Sequence, residues 1–216
     1  MATILRIDSS PRSSRSLSRD LSKKFFNEWQ KHRPDDLIIA RDVGKEAPPT
    51  VTEEWIAAAF AKSEARTEEQ KEALVYSDQL VDELIPADII VFSVPMYNYG
   101  LPASLKAWVD QVVRVNRTFS FDLSRGEQPI EAIQSGKTAV ILSASGEGYY
   151  FDGQKNSGDN YLHPHLFKCC ELLGVEYQYS LGVEFQEFAD DRFEKSKTEA
   201  YAAIPGLVQD IMSNLV

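Results

Sequence analysis

The stretch "DIIVFSVPMYNYGLPASLKAWVD", residues 88–110, joins three kinds of chain in close succession. Its opening, "DIIVFSVP" (88–95), is nearly continuous in Ile, Val and Phe, as a parallel strand covered on both faces requires. Its close runs on as "PASLKAWVDQVVR" (102–114), with a proline at a favourable helix-start position and Leu105, Val109, Val112 and Val113 on one side. Between them "PMYNYGLP" (95–102) is aromatic and polar, and its two prolines stiffen the ends.

The same alternation recurs along the chain. Apolar runs stand at "TILRID" (3–8), "LIIARD" (37–42), "TAVILSAS" (138–145) and "VEYQYSLGV" (175–183), with helical patterns between them. This is the signature of an α/β protein, a parallel sheet with helices on both faces. The runs at 88–95 and 138–145 are the most continuous and are expected at its centre. "SLSRDLSKKFFNEWQKH" (16–32) sets Leu17, Leu21, Phe25 and Trp29 in one stripe, with Lys23, Lys24 and Asn27 facing water. A last helix is expected over 189–215. The crossover from Pro48 to Leu84 is long, with helices near 52–63 and 67–84, and reads as a decoration on one domain spanning 1–216. The segment "RVNRTFSFDLSRGEQPIEAIQSGK" (114–137) reads as an extended excursion beside the site or as a surface hairpin.

Bulk properties narrow the function. A chain of 216 residues, 43% of them hydrophobic, suits one α/β unit that buries about 70% of its extended-chain surface. With 33 acidic against 23 basic side chains the net charge is -10, which argues against a nucleic-acid partner. No stretch approaches the ~20 apolar residues of a membrane span, and the basic flank and cleavage site of a signal peptide are missing, so a cytoplasmic protein is expected. Cys169 and Cys170 are adjacent, and side chains of helix neighbours diverge by about 100°, so packed or partly exposed thiols are expected rather than a disulfide or a metal pair. His32, His163 and His165 make no zinc pattern, and no metal is expected.

In an open parallel sheet, ligands bind beyond the carboxyl ends of the strands where the strand order reverses. Three loops are expected to meet there. In the first, "SSPRSSRSLS" (9–18), hydroxyls of Ser10, Ser16 and Ser18 and the free amides of the following helix can surround a phosphate. Helix capping by Ser14 or Ser16 explains the same serines equally well. Neither G-x-G-x-x-G nor a Walker-type loop occurs. In the second, the backbone of Met96 to Tyr99 and the Asn98 amide are placed to meet the polar edge of a planar ring, with Met96, Tyr97 and Tyr99 as apolar wall. In the third, "SASGEGYY" (143–150), small residues admit a flat ligand, although an ordinary strand-to-helix turn reads the same way.

These residues resemble the FMN-dependent NADH:quinone oxidoreductases, also called FMN-dependent NADH-azoreductases, over most of the chain. The resemblance rests on "SSPR" with "SLS" after the first strand, on "PMYNYGLPASLKAWVD" (95–110) and on the small-residue loop after the fourth strand. It implies a flavodoxin-like three-layer fold with a five-stranded parallel sheet in the order 2-1-3-4-5. It implies that Ser10, Ser16, Leu17 and Ser18 bind the FMN phosphate, Pro95, Met96, Tyr97, Asn98 and Tyr99 the isoalloxazine ring, and Ser143, Ala144, Ser145 and Gly146 its pyrimidine edge. In this sequence Glu147 interrupts the glycine pair usual for that last loop.

The resemblance further implies a homodimer with sites at the interface, where Phe119 and Phe121 are candidates to cover a neighbouring chain's flavin. In a monomer the same aromatics would be core. The implied activity is two-electron transfer from NADH or NADPH, by a ping-pong flavin mechanism, to quinone, azo or nitro acceptors. No side chain is assigned a bond-breaking catalytic role. A flavodoxin-like one-electron carrier, and an α/β domain without cofactor, are the alternatives.

Overall fold

The computed structural model describes residues 1–215. In chain order the elements are β1 (Thr3–Asp8), α1 (Leu17–His32), β2 (Leu37–Asp42), α2 (Glu53–Phe60), α3 (Glu68–Leu84), β3 (Ile89–Pro95), α4 (Ala103–Val112), β4 (Phe119–Phe121), β5 (Ile130–Ala132), β6 (Lys137–Ala144), α5 (His163–Glu171), β7 (Val175–Val183) and α6 (Asp191–Ser213). The five long strands form one parallel sheet in the order β2-β1-β3-β6-β7, while β4 and β5 pair as a separate antiparallel hairpin. With the hairpin set aside, this is the expected order.

The centre of the sheet is β3 and β6, where every residue from Ile89 to Val94 and from Lys137 to Ala144 is buried. Alternation along these strands feeds two cores. Ile90, Phe92, Val94, Ala139 and Ile141 pack with α3, α4 and α5. Ile89, Val91, Val140 and Leu142 pack with α1 and α6, against Leu21, Phe25, Trp29, Ile204 and Val208. Helix α1 presents the expected stripe inward and leaves Lys23, Lys24 and Asn27 exposed. The edge strands β2 and β7 are only partly covered.

The long crossover holds α2 and α3, clasped by a satellite cluster of Ala58, Ala59 and Leu74. Trp55 donates from its indole to Gln111 Oε1 (2.9 Å), which ties this decoration to α4. A buried cation closes the other end of α3, because Lys137 Nζ donates to the carbonyls of Ile85 (2.8 Å) and Ala87 (2.5 Å) beyond the last helical turn.

The expectation that Phe119 and Phe121 are core in a single chain does not hold. They lie on the β4–β5 hairpin, which pairs apart from the main sheet, Phe119 half-buried and Phe121 exposed. Leu123, Ile130 and Ile133 are also exposed there.

Phe92 lies at 0% exposure in the middle of β3, its ring edge-on to Trp108 with 5.8 Å between centroids. Phe92→Ala is expected to lower the unfolding free energy by about 3–5 kcal/mol, read by chemical denaturation.

Candidate functional site

The loop after β1 is held from three sides. Ser9 is tied to β3 through its N–H (3.0 Å) and hydroxyl (3.1 Å), both donating to the Ser93 carbonyl. Arg19, on the first turn of α1, donates to the Ser10 carbonyl from Nη2 (2.6 Å) and Nε (3.1 Å) and grips Asp42 at the end of β2 with the same guanidinium (2.6 and 2.8 Å). Gly44 packs its backbone so closely on Ser10 that a Cβ would collide with the Ser10 carbonyl. The loop is therefore shaped before any ligand arrives.

Ser10, Ser16 and Ser18 are all buried within this loop. Ser16 caps α1, its hydroxyl accepting the Arg19 N–H (3.4 Å) and lying 3.2 Å from the Ser18 hydroxyl. Of the two capping candidates Ser16 is therefore the cap and Ser14 is not. The first helical amides, Leu17 and Ser18, have no partner within the helix and face the same end.

After β3 the chain turns sharply. Tyr97 and Gly100 exchange both backbone hydrogen bonds (3.1 and 3.0 Å), with Asn98 at φ 48° and Tyr99 at φ 66° between them. Two successive left-handed residues make this a type I′ turn, a conformation asparagine tolerates and tyrosine resists. The turn changes what Met96 to Tyr99 can offer. The Met96 N–H goes to the Ala144 carbonyl (2.8 Å) and the Tyr99 carbonyl accepts from Tyr161 (3.0 Å). The N–H groups of Asn98 and Tyr99 and the Asn98 amide remain without a protein partner among the described residues.

The loop after β6 begins later than expected, because Ser143 and Ala144 still pair in the sheet with β3 and β7. Ser143 is turned to His163 Nε2, 3.1 Å away, and does not line the cleft. Ala144, Ser145 and Gly146 do line it. The Ser145 N–H is taken by Val183 (3.0 Å), leaving those of Gly146, Glu147 and Gly148 as this loop's free donors among the described residues. Glu147 is exposed, yet its carboxylate accepts the Tyr150 phenol (2.8 Å). Burial first, and then that carboxylate, push the Tyr150 hydroxyl above its usual range.

A fourth loop, after β7, completes the site. Gln186 and Glu187 donate their N–H groups to the carbonyls of Ser145 (3.1 Å) and Gly146 (3.0 Å), and both side chains border the cleft. The rule that ligands sit at carboxyl ends of strands covers β7 as well as its neighbours, and applying it there would have found them. Behind the cleft, the Glu184 carboxylate accepts the N–H groups of Tyr149 (3.1 Å) and Tyr150 (2.9 Å).

These loops enclose two connected spaces. A narrow cavity of about 90 Å³ is lined by Ser10, Ser16, Leu17 and Ser18 together with Pro95, Met96 and Ala144. A wider groove of about 420 Å³ is lined by Met96 to Tyr99, Ser145 to Glu147 and Tyr150. Met96, Tyr97, Gly146 and Glu187 border both. Cys169 and Cys170 are remote from them on α5, and burial raises the pKa of both thiols.

Five parallel strands in this order, with a polar cleft at their carboxyl ends, define the flavodoxin-like class, and the family described by the flavodoxin-like fold matches residues 2–204. The FMN-dependent NADH:quinone oxidoreductase 2 of Colwellia psychrerythraea is 46% identical over 98% of this chain and 100% of its own. Its counterpart in Idiomarina loihiensis is 46% identical over 93% of this chain and 86% of its own. The crystal structure of an azoreductase from Bacillus anthracis superposes with a TM-score of 0.85 at 20% identity, covering 97% of this chain and 100% of that one, a likeness of fold. The chain belongs to the family of FMN-dependent NADH:quinone oxidoreductases.

Burial lowers the His163 pKa to about 4, so the imidazole that meets Ser143 is neutral in the fold. An unfolded histidine takes up its proton near pH 6.5, so the unfolded state gains protons first on acidification. The stability His163 contributes is complete above about pH 6.5 and is lost as pH falls toward 4, by up to about 3 kcal/mol. His163→Gln is expected to flatten the fall in Tm between pH 6.5 and 4, measured by calorimetry against the parent protein.

Proposed function

We propose that the chain is an FMN-dependent oxidoreductase that moves two electrons from NADH or NADPH to quinone and azo acceptors, and to nitro compounds, in a ping-pong cycle. The observation that carries this reading is the continuity of a small hydroxyl-lined cavity with a broad aromatic groove. One end suits a phosphate and the other a flat ring. The names of the relatives agree with it.

In this reading Ser10, Ser16 and Ser18 hold the FMN phosphate with the amides of Leu17 and Ser18, where the helix N-terminus favours an anion without a lysine. Pro95, Met96 and Tyr97 wall the ring, and Asn98 and Tyr99 offer it the donors the turn leaves free. Ala144, Ser145 and Gly146 border the pyrimidine edge, and the N–H groups of Gly146 and Glu147 stabilise negative charge developing there. Ser143 acts from behind by fixing the end of β6 through His163. When bound, FMN supplies the hydride chemistry. The protein's share is to orient the ring and to leave the groove open for donor and acceptor in turn. We further propose a homodimer with the site at its interface, supported by the exposed Phe121, Leu123, Ile130 and Ile133 of the hairpin.

Anaerobic stopped-flow mixing of the FMN-loaded protein with NADH is expected to bleach the flavin absorbance. An unreduced flavin would point instead to the one-electron carrier. Asn98→Ala is expected to weaken FMN retention about tenfold and Cys169→Ala to leave it unchanged, by equilibrium dialysis. Equal retention in both variants would overturn the role of Asn98.

A further inference from the structure

Arg12 and Arg15 stand apart from the other arginines of the chain. Each of the others donates to a carboxylate or, in the case of Arg66, to the carbonyls of Ala58 and Ala59. The guanidinium groups of Arg12 and Arg15 meet no acceptor among the described residues, although acidic side chains outnumber basic ones 33 to 23. Both are exposed, and both border the narrow cavity. They also border a second, open groove of about 510 Å³ with Pro11, Ser13, Ser14 and Gln186.

We propose that Arg12 and Arg15 form a second anion subsite that takes the diphosphate of a dinucleotide. This rests on the reading of the narrow cavity as the place of the FMN phosphate. That cavity is supplied with donors by buried serines and helix amides and has room for one phosphoryl group, so two further cations at its mouth exceed what that group needs. The neighbouring groove shares Arg12, Arg15 and Gln186 with it, so a second phosphoryl group there lies next to the first. Guanidinium groups suit phosphate oxygens by geometry as well as charge, and the hydroxyls of Ser13 and Ser14 add neutral donors. Two sources carry this chemistry. One is the nicotinamide dinucleotide that reduces the flavin, and the other is FAD standing in place of FMN.

The test uses the charge-free pair Arg12→Ala/Arg15→Ala and the charge-keeping pair Arg12→Lys/Arg15→Lys. NAD+, which cannot reduce the flavin, is titrated into FMN-loaded protein by calorimetry, and FMN and FAD are titrated separately into flavin-free protein. The alanine pair is expected to weaken one of the two dinucleotides by about tenfold per arginine while FMN affinity stays within about twofold, with the lysine pair intermediate. A loss confined to NAD+ identifies the reductant, and a loss confined to FAD identifies the flavin. Unchanged affinity for both dinucleotides overturns the inference and leaves the flavin site standing. An equal loss of FMN also overturns it, assigning the arginines to the single phosphate. Parent protein that binds no flavin would sink the reading of the cavity and this inference together.

Discussion

From Ile89 to Val94 strand β3 is sealed on both faces, one set of side chains closing on α4 and the other on α1 and α6. The strand's one polar side chain is the Ser93 hydroxyl, buried without a partner among the described residues, and the rest is apolar, since each such burial costs free energy. Chemistry is therefore displaced to the point where the sheet ends. Pro95 marks that point; Met96 still packs on one core, and Tyr97 to Tyr99 are the first residues free of both. Strand β6, buried throughout, imposes the same condition on Ser145 and Gly146.

What keeps the displaced loops in place is mutual support rather than a further layer of structure. The loop after β1 leans on Arg19 and Gly44, and the turn after β3 is tied to Ala144 and Tyr161. Gly146 packs on Glu187, where a Cβ would press on that side chain's Cγ, and Gly148 lies beneath the Phe185 ring. Each loop is thus a wall for its neighbour, and the cleft is what remains between them.

Much of this was legible from the residues because the signals are local. Apolar runs placed all five strands to within a residue, and the proline-bounded "PMYNYGLP" marked one wall of the wider groove without any knowledge of pairing. What escaped depends on partners distant in sequence. That Ser143 faces His163 follows from the pleat of β6 against β7, and that Glu147 takes the Tyr150 phenol follows from the path of a loop pinned by Glu184. Gln186 and Glu187 reach the cleft only because β7 lies beside β6. Phe119 and Phe121 have the pattern of core aromatics, yet exposure is decided by what lies behind a hairpin, and no pattern within it records that.

The turn at Tyr97 to Gly100 has a consequence for how the groove meets any guest. Holding Asn98 and Tyr99 at positive φ is strained, and the two backbone hydrogen bonds across the turn fix it within the folded chain. The entropy of ordering these residues is lost during folding, not at the moment of association. This segment is consequently a rigid template, and any guest of the groove meets donors already held in place instead of a flap that must first settle.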